Sequence, residues 1–360
     1  MNSVAHNGST TSQIDFAGVF DLGGGMKADF FFENDIIPTS YVTNPGSAAL
    51  NGTYASSTAV TTTNSTGAQA ASSWGNGQVK AGIGGNFGYL AIGAVNNAAL
   101  DFNQFSNPFA TSVGGGYGIT MATVGSGYGS SAKVRWDNSV RYLTPSFANT
   151  IGSLTYRPKN DTAANNMVST TPGLQGQSGV QELALIYRDG PLNLIAVNQI
   201  DDANGVRDVS GAAQTAKKWT ANSIGGNYTY GAFTAYYGHQ TMKNDTGSTS
   251  NSADRYAVKY MATPELALSV VSSSVKKVSG LKTTMTGLGA DYALSKTVAL
   301  YAKYESVTDD ASMLTSTEAN GGTDAAPATA VTPITAGFTT PAAFADHKRT
   351  RTFVGLRVGF

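Results

Sequence analysis

Apolar side chains recur at every second position along most of this chain, and that period decides what it can fold into. Successive side chains of an extended strand point to opposite faces, so a two-residue rhythm marks a sheet with one apolar and one polar face. Ala28, Phe30 and Phe32 share one parity, with Lys27, Asp29 and Glu33 on the other. Val79, Ala81 and Ile83 alternate with Gln78, Lys80 and Gly82, and Val140 and Tyr142 with Ser139 and Arg141. The rhythm returns in Leu183, Leu185 and Tyr187 against Glu182 and Arg188, in Tyr256, Val258 and Tyr260 against Arg255 and Lys259, and in Leu300, Ala302 and Tyr304. It predicts fifteen strands, at 12–20, 26–34, 77–84, 89–97, 135–143, 152–158, 180–188, 191–199, 217–228, 232–240, 254–261, 266–274, 282–293, 298–307 and 348–360.

The connections fall into two length classes that alternate. Short ones such as Asp21–Gly25, Gly85–Gly88, Asp189–Gly190 and Leu294–Thr297 are separated by long Ser, Thr, Ala, Gly and Asn-rich stretches at 35–76, 98–134, 159–178, 200–216, 241–253 and 308–347. An up-and-down sheet with tight turns at one end and elaborated loops at the other has this pattern, and a closed ring of such strands leaves no backbone edge unpaired in lipid. Charged residues make up only 13% of the 360 positions, against about 25% in an ordinary soluble domain. A face that meets hydrocarbon explains the deficit. Tyrosines near strand ends on the apolar parity, among them Tyr142, Tyr187, Tyr228, Tyr260 and Tyr292, suit interfacial girdles. A β-sandwich or adhesin also buries one face of each strand, but does not alternate loop classes so regularly. No apolar run approaches the ~20 residues of a transmembrane helix.

Composition excludes further classes. Equal numbers of basic and acidic residues, 23 each, offer no general attraction for nucleic acid, and the absence of cysteine removes thiolate metal sites and cysteine nucleophiles. His6, His239 and His347 show no metal or triad spacing, and the glycine clusters at 82–88 and 114–118 precede no predicted helix that would make them phosphate cradles. Asp201 and Asp202 open an Asx-rich loop that reads better as a turn than as a calcium site. No cofactor and no enzymatic chemistry are expected.

Several short motifs resemble the general porins of Gram-negative bacteria, in particular the beta-proteobacterial type. Asp21-Leu-Gly-Gly-Gly-Met-Lys-Ala28 is similar to that family's first short hairpin, and Gly85-Asn-Phe-Gly-Tyr-Leu-Ala-Ile-Gly93 to its second. Arg135-Trp-Asp-Asn-Ser-Val-Arg-Tyr142 resembles the strand after the long third loop, Gly289-Ala-Asp-Tyr-Ala-Leu-Ser-Lys296 the penultimate hairpin, and Gly355-Leu-Arg-Val-Gly-Phe360 the last strand. The resemblance implies a 16-stranded transmembrane antiparallel β-barrel in the outer membrane and a homotrimer among lipid and lipopolysaccharide. It also implies a third loop folded into a water-filled lumen and recognition of terminal Phe360 by the barrel-assembly machinery.

Fifteen readable strands make the first and last parallel. The expectation is therefore a single barrel over 12–360, with 1–11 as the remnant of a first external loop, the family's first strand missing before it, and a seam between 12–20 and 348–360. Within the lumen, parity places Lys27, Asp29, Glu33, Lys80, Arg135, Asp137, Arg141 and Arg157 on the inner wall, with Asp101 and Phe105 contributed by the constriction loop 98–134. On that parity the basic residues, with Lys133 of the loop, outnumber the acidic ones. The expected function is passive diffusion of ions and small hydrophilic solutes with weak anion preference. The alternative is a substrate-specific channel in which Phe102, Phe105, Phe109, Tyr117 and Tyr128 form a greasy track for sugars or small organic acids.

Overall fold

All fifteen strands form, and each pairs antiparallel with its neighbour in sequence. In this computed structural model the described residues are 12–35, 77–110, 112–116, 134–159, 178–202, 218–245, 250–276, 280, 282–309 and 348–359. Strands β1 (Gln13–Gly23), β2 (Met26–Asp35), β3 (Val79–Gly85), β4 (Gly88–Asn96) and β5 (Arg135–Leu143) lead into β6 (Thr150–Arg157), β7 (Gly179–Asp189) and β8 (Leu192–Asp202). They continue through β9 (Lys218–Tyr230), β10 (Phe233–Asn244), β11 (Ser250–Met261), β12 (Leu266–Lys276), β13 (Lys282–Ala293), β14 (Val298–Asp309) and β15 (Lys348–Val358). The sheet order follows the sequence from β1 to β15 without a crossover. Glycines with positive φ close several short turns, where a β-carbon would be strained: Gly190 at 54° and Gly231 at 57°.

The outer strands β1 and β15 run in the same direction, and among the described residues no ladder joins them. Residues 1–11 and Phe360 lie outside the described residues.

The two faces separate as the alternation predicts. On β7, Val180, Glu182, Ala184 and Ile186 are buried while Leu183 and Leu185 are 60% and 61% exposed on the opposite face. That outward face is apolar beside the short turns: Phe233 with Tyr260, Tyr237 with Tyr256, then Leu268, Val270, Leu288, Tyr292, Leu300 and Leu356. Phe233 and Tyr260 stack across β10 and β11 at 4.7 Å, the kind of cross-strand aromatic contact that fixes register. Toward the long connections the same parity turns polar. Asn198 donates to Asn222 at 2.7 Å, and His239 meets Asp254 at 2.8 Å. Exposed apolar side chains continue into the short turns themselves, at Phe87, Phe147 and Leu294.

Among the described residues one helix interrupts the all-β pattern. Residues Ala98–Phe105 form α1 inside the stretch expected to be a loop. Asn97 caps it, its Oδ1 accepting from the amide of Ala99 at 3.1 Å, and Ala98, Ala99, Phe102 and Phe105 lie on the buried stripe. Helix α1 shows that the sheet curves. Adjacent residues Asp101 and Phe102 touch, respectively, Arg141 on β5 and the glycines Gly225 and Gly238 of β9 and β10. Five strand spacings in a flat sheet would separate β5 from β10 by about 24 Å, so the wall wraps around the helix.

Candidate functional site

The segment from Asn97 to Gly116 crosses the concave face and is fastened to it at both ends by a buried glutamate. Glu182 on β7 is fully buried, and its Oε1 accepts from the amide of Ala98 at 2.8 Å and from the Thr155 hydroxyl at 3.0 Å. Gln199 donates to its other oxygen at 2.9 Å. A carboxylate at the first turn of a helix meets the free amides and the positive end of the dipole. At the far end, Glu305 on β14 accepts from the amide of Gly114 at 3.0 Å and from Arg351 Nε at 2.8 Å. Between these anchors Asn227 donates to the Phe105 carbonyl at 2.9 Å, and Lys303 to the Ser112 hydroxyl at 2.9 Å.

Apolar packing fills the space beneath. Phe102 and Phe105 join Ala184, Ile186, Ile195, Val197, Trp219 and Met242 of the wall, while Phe109 joins Ala257, Val271, Met285 and Val307. Glycine makes the approach possible. A β-carbon on Gly225 would stand 2.9 Å from the Phe102 ring, and one on Gly287 would collide with the backbone of Gly114. Asn107 holds the turn beyond α1, donating to the carbonyls of Ala110 and Gly115 at 2.8 and 3.0 Å.

The expected site residues divide between this covered wall and an open one. Phe105 was expected to line the lumen, but its ring is buried against the wall beneath the Arg188 guanidinium, 4.9 Å away. Helix geometry turns it there: Phe105 shares the stripe of Ala98 and Phe102. Phe102 and Phe109 are likewise buried, so these three rings offer no greasy track; Tyr117 and Tyr128 lie outside the described residues. Asp101 is on the free side of α1, where Arg141 Nη2 reaches it at 2.6 Å while donating through Nη1 to the Asn96 carbonyl at 2.9 Å.

On β2 to β6 the remaining candidates form ion pairs. Lys80 donates to Asp29 at 3.0 Å, and Tyr89 bonds to both. Arg135 contacts both oxygens of Glu33 at 3.3 Å, and Arg157 meets Asp137 at 2.8 Å while lying over the Trp136 ring. Unbroken alternation would put Arg135 and Asp137 on one parity with Arg141. Instead the β4–β5 register shifts between Gly93 and Val95, and Asn138 adopts φ 51°. That bulge gives the position beside Val95 to buried Trp136 and sets Arg135 beside Asn96, to which its Nε donates at 2.7 Å. Lys27 is exposed, opposite Asp21 and Gly84 in register, and belongs to no ion pair among the described residues. Lys133 lies outside those residues. Asp202 pairs with Lys159 at 3.6 Å, and among the described residues no three His, Asp or Glu side chains are grouped to share a metal.

Sequence reasoning placed Glu182 and Glu305 on the inner parity but missed their role as anchors. It missed α1 altogether, although Asn97 followed by apolar residues at 98, 99, 102 and 105 is a legible helix start.

Comparison with known proteins agrees with this architecture. Among solved structures, an anion-selective porin from Comamonas acidovorans superposes with a TM-score of 0.69 at 19% identity, covering 99% of this chain and 91% of that one. The trimer form of in-vitro folded OmpT, an outer membrane protein of Vibrio cholerae, gives 0.59 at 14% identity, covering 97% and 91%. Salmonella typhi OmpF in complex with daunomycin gives 0.51 at 14% identity, with 81% of each chain covered. At these identities the likeness is one of fold. No curated protein sequence matches the chain. The family pattern described as Gram-negative porin matches residues 2–312, and the chain therefore belongs to that family of outer-membrane channel proteins, which are not enzymes.

Proposed function

We propose that the chain forms a water-filled pore for passive diffusion of ions and small hydrophilic solutes, with a weak preference for anions. The observation that carries this reading is the division of the concave face. The inward segment covers the wall from β7 to β14, whereas β1 is exposed along nearly its whole length and β2 to β6 present ion-paired polar side chains. A path between segment and open wall is narrow, wet and bordered by charge, and low-dielectric walls focus the field of such charges on passing ions.

Ion pairing sets the sign. Lys80, Arg135, Arg141, Arg157 and Arg351 are matched by carboxylates. Lys27, Arg188, Lys259 and Arg357 stand on the inner parity outside any described ion pair and donate no described hydrogen bond to the inward segment, against Asp15, Asp21 and Asp291 among the unmatched wall acids that carry no anchoring role. The surplus is positive. Lys27, Asp29, Lys80, Arg141 and Asp101 border the narrow zone in this reading. The 19%-identical fold relative described as anion-selective is in keeping with it.

The same reading closes the sheet as a 16-stranded barrel of the beta-proteobacterial type, supported by the five ordered motifs. It assembles as a homotrimer among lipopolysaccharide, with the last strand and Phe360 read by the assembly machinery. Reversal potentials of the refolded protein in a salt gradient test the selectivity. A shift of anion sign is expected, and a clear cation preference would refute it.

A further inference from the structure

Arg255 on β11 is the one fully buried arginine of the described residues, and no carboxylate among those residues pairs with it. It lies beneath the inward segment, where Nη1 reaches Asn103 Oδ1 and the Ser106 hydroxyl, both at 3.3 Å. Its Nε and Nη2 have no acceptor. Directly opposite in register are Gly238 on β10 and Ser273 on β12, and the Ser273 hydroxyl, 3% exposed, is also without a partner.

Two neutral side-chain oxygens at 3.3 Å do not compensate a buried guanidinium. Leaving one partner of a buried pair unmatched is strongly destabilising, and the guanidinium does not escape by losing its proton. A neutral solvent molecule would satisfy hydrogen bonds but not the charge. A small anion would satisfy both, and three donors without acceptors stand on two paired strands: Nε and Nη2 of one guanidinium edge, and the Ser273 hydroxyl of the residue opposite in register.

We propose that a monovalent inorganic anion of chloride's size binds behind the inward segment, held by Arg255 Nε and Nη2 and the Ser273 hydroxyl. The ion is a structural part of the wall, fixing the guanidinium that supports Asn103 and Ser106 of the segment, and lies off the path of permeating solutes. The site does not depend on the anion preference proposed above, because it lies behind the segment and not on the path whose charges set that preference.

Bromide soaked into crystals of the full chain tests this directly, since its anomalous scattering distinguishes it from water. A peak against the Arg255 guanidinium and Ser273 is expected in the unaltered protein, and its loss in Arg255→Met. No peak at high bromide, a solvent molecule linking Arg255 to the unpartnered Gln240 Oε1, or a peak that survives Arg255→Met would each overturn the site. Should Arg255→Met not refold, Ser273→Ala takes its place. Reduced bromide occupancy is then expected, and unchanged occupancy would overturn the assignment. In solution, the unfolding midpoint of the refolded full chain should be higher in chloride than in gluconate at equal ionic strength. Equal midpoints would count against the proposal as firmly as an empty map.

Discussion

Replacing Glu305 with alanine should loosen the far end of the inward segment while leaving the barrel wall intact. The carboxylate is fully buried and accepts from the Gly114 amide at 3.0 Å, Arg351 Nε at 2.8 Å and Arg351 Nη2 at 3.2 Å. Orphaning a buried donor costs about 1–3 kcal/mol, and breaking a buried ion pair about 3–5 kcal/mol. Arg351 keeps some solvent access, its side chain being 12% exposed, so the lower end applies to the pair. A loss of about 3 kcal/mol raises the population of segment detached from β14 about a hundredfold. Phe109, which packs against Met285 and Val307, would still resist complete release. Single-channel recording of refolded protein in planar bilayers should therefore show added noise and a larger subconductance in Glu305→Ala, while unfolding of the barrel itself changes little. Arg351→Met combined with Glu305→Gln removes the unpaired charge and should restore most of the steady level. Recordings of Glu305→Ala indistinguishable from the parent would refute the anchoring role.

Phe102→Ala removes a ring packed against the wall and should destabilise the refolded protein by about 3–5 kcal/mol, measured as a shift in denaturant midpoint. Gly287→Val sets a branched side chain against the Gly114 backbone, so its conductance should change more than its stability in a bilayer assay. Lys27→Glu reverses an unpaired inner-wall charge, and the reversal potential should move toward cations; no movement would place Lys27 away from the permeation path. Leu185→Lys puts a charge on an outward position that is 61% exposed, and should cost about 2–4 kcal/mol of folding into lipid. Lysine at the buried inward neighbour Ile186 should instead disturb packing under α1.

Alternation located the strands because a pleated backbone converts a local pattern directly into two faces. Strand 282–293 matches its expected limits, and several others, such as β10 and β11, are longer because their polar outer ends carry no apolar signal. Parity failed where an extra residue entered the ladder at Asn138, since a bulge leaves no mark in residue type. It also carried no information on which inner side chains the inward segment would cover. Glu182, Asp291 and Glu305 look alike along their strands; only curvature brings Glu182 to Ala98 and Glu305 to Gly114, across 84 and 191 residues. Phe105 was misplaced for a simpler reason: without α1, an aromatic side chain in a glycine-rich stretch has no assignable direction.

The apolar outer surface described for β10 to β15 begins at the short turns and stops near Tyr237 and Tyr256, and Asn198, Asn222, His239 and Asp254 of β8 to β11 lie at the other end. Because Phe87, Phe147 and Leu294 are themselves exposed, oily residues reach the very tips of the turns. Such a molecule rides off-centre in its bilayer, almost flush with one leaflet and standing proud of the other by the height of its hydrophilic strand ends.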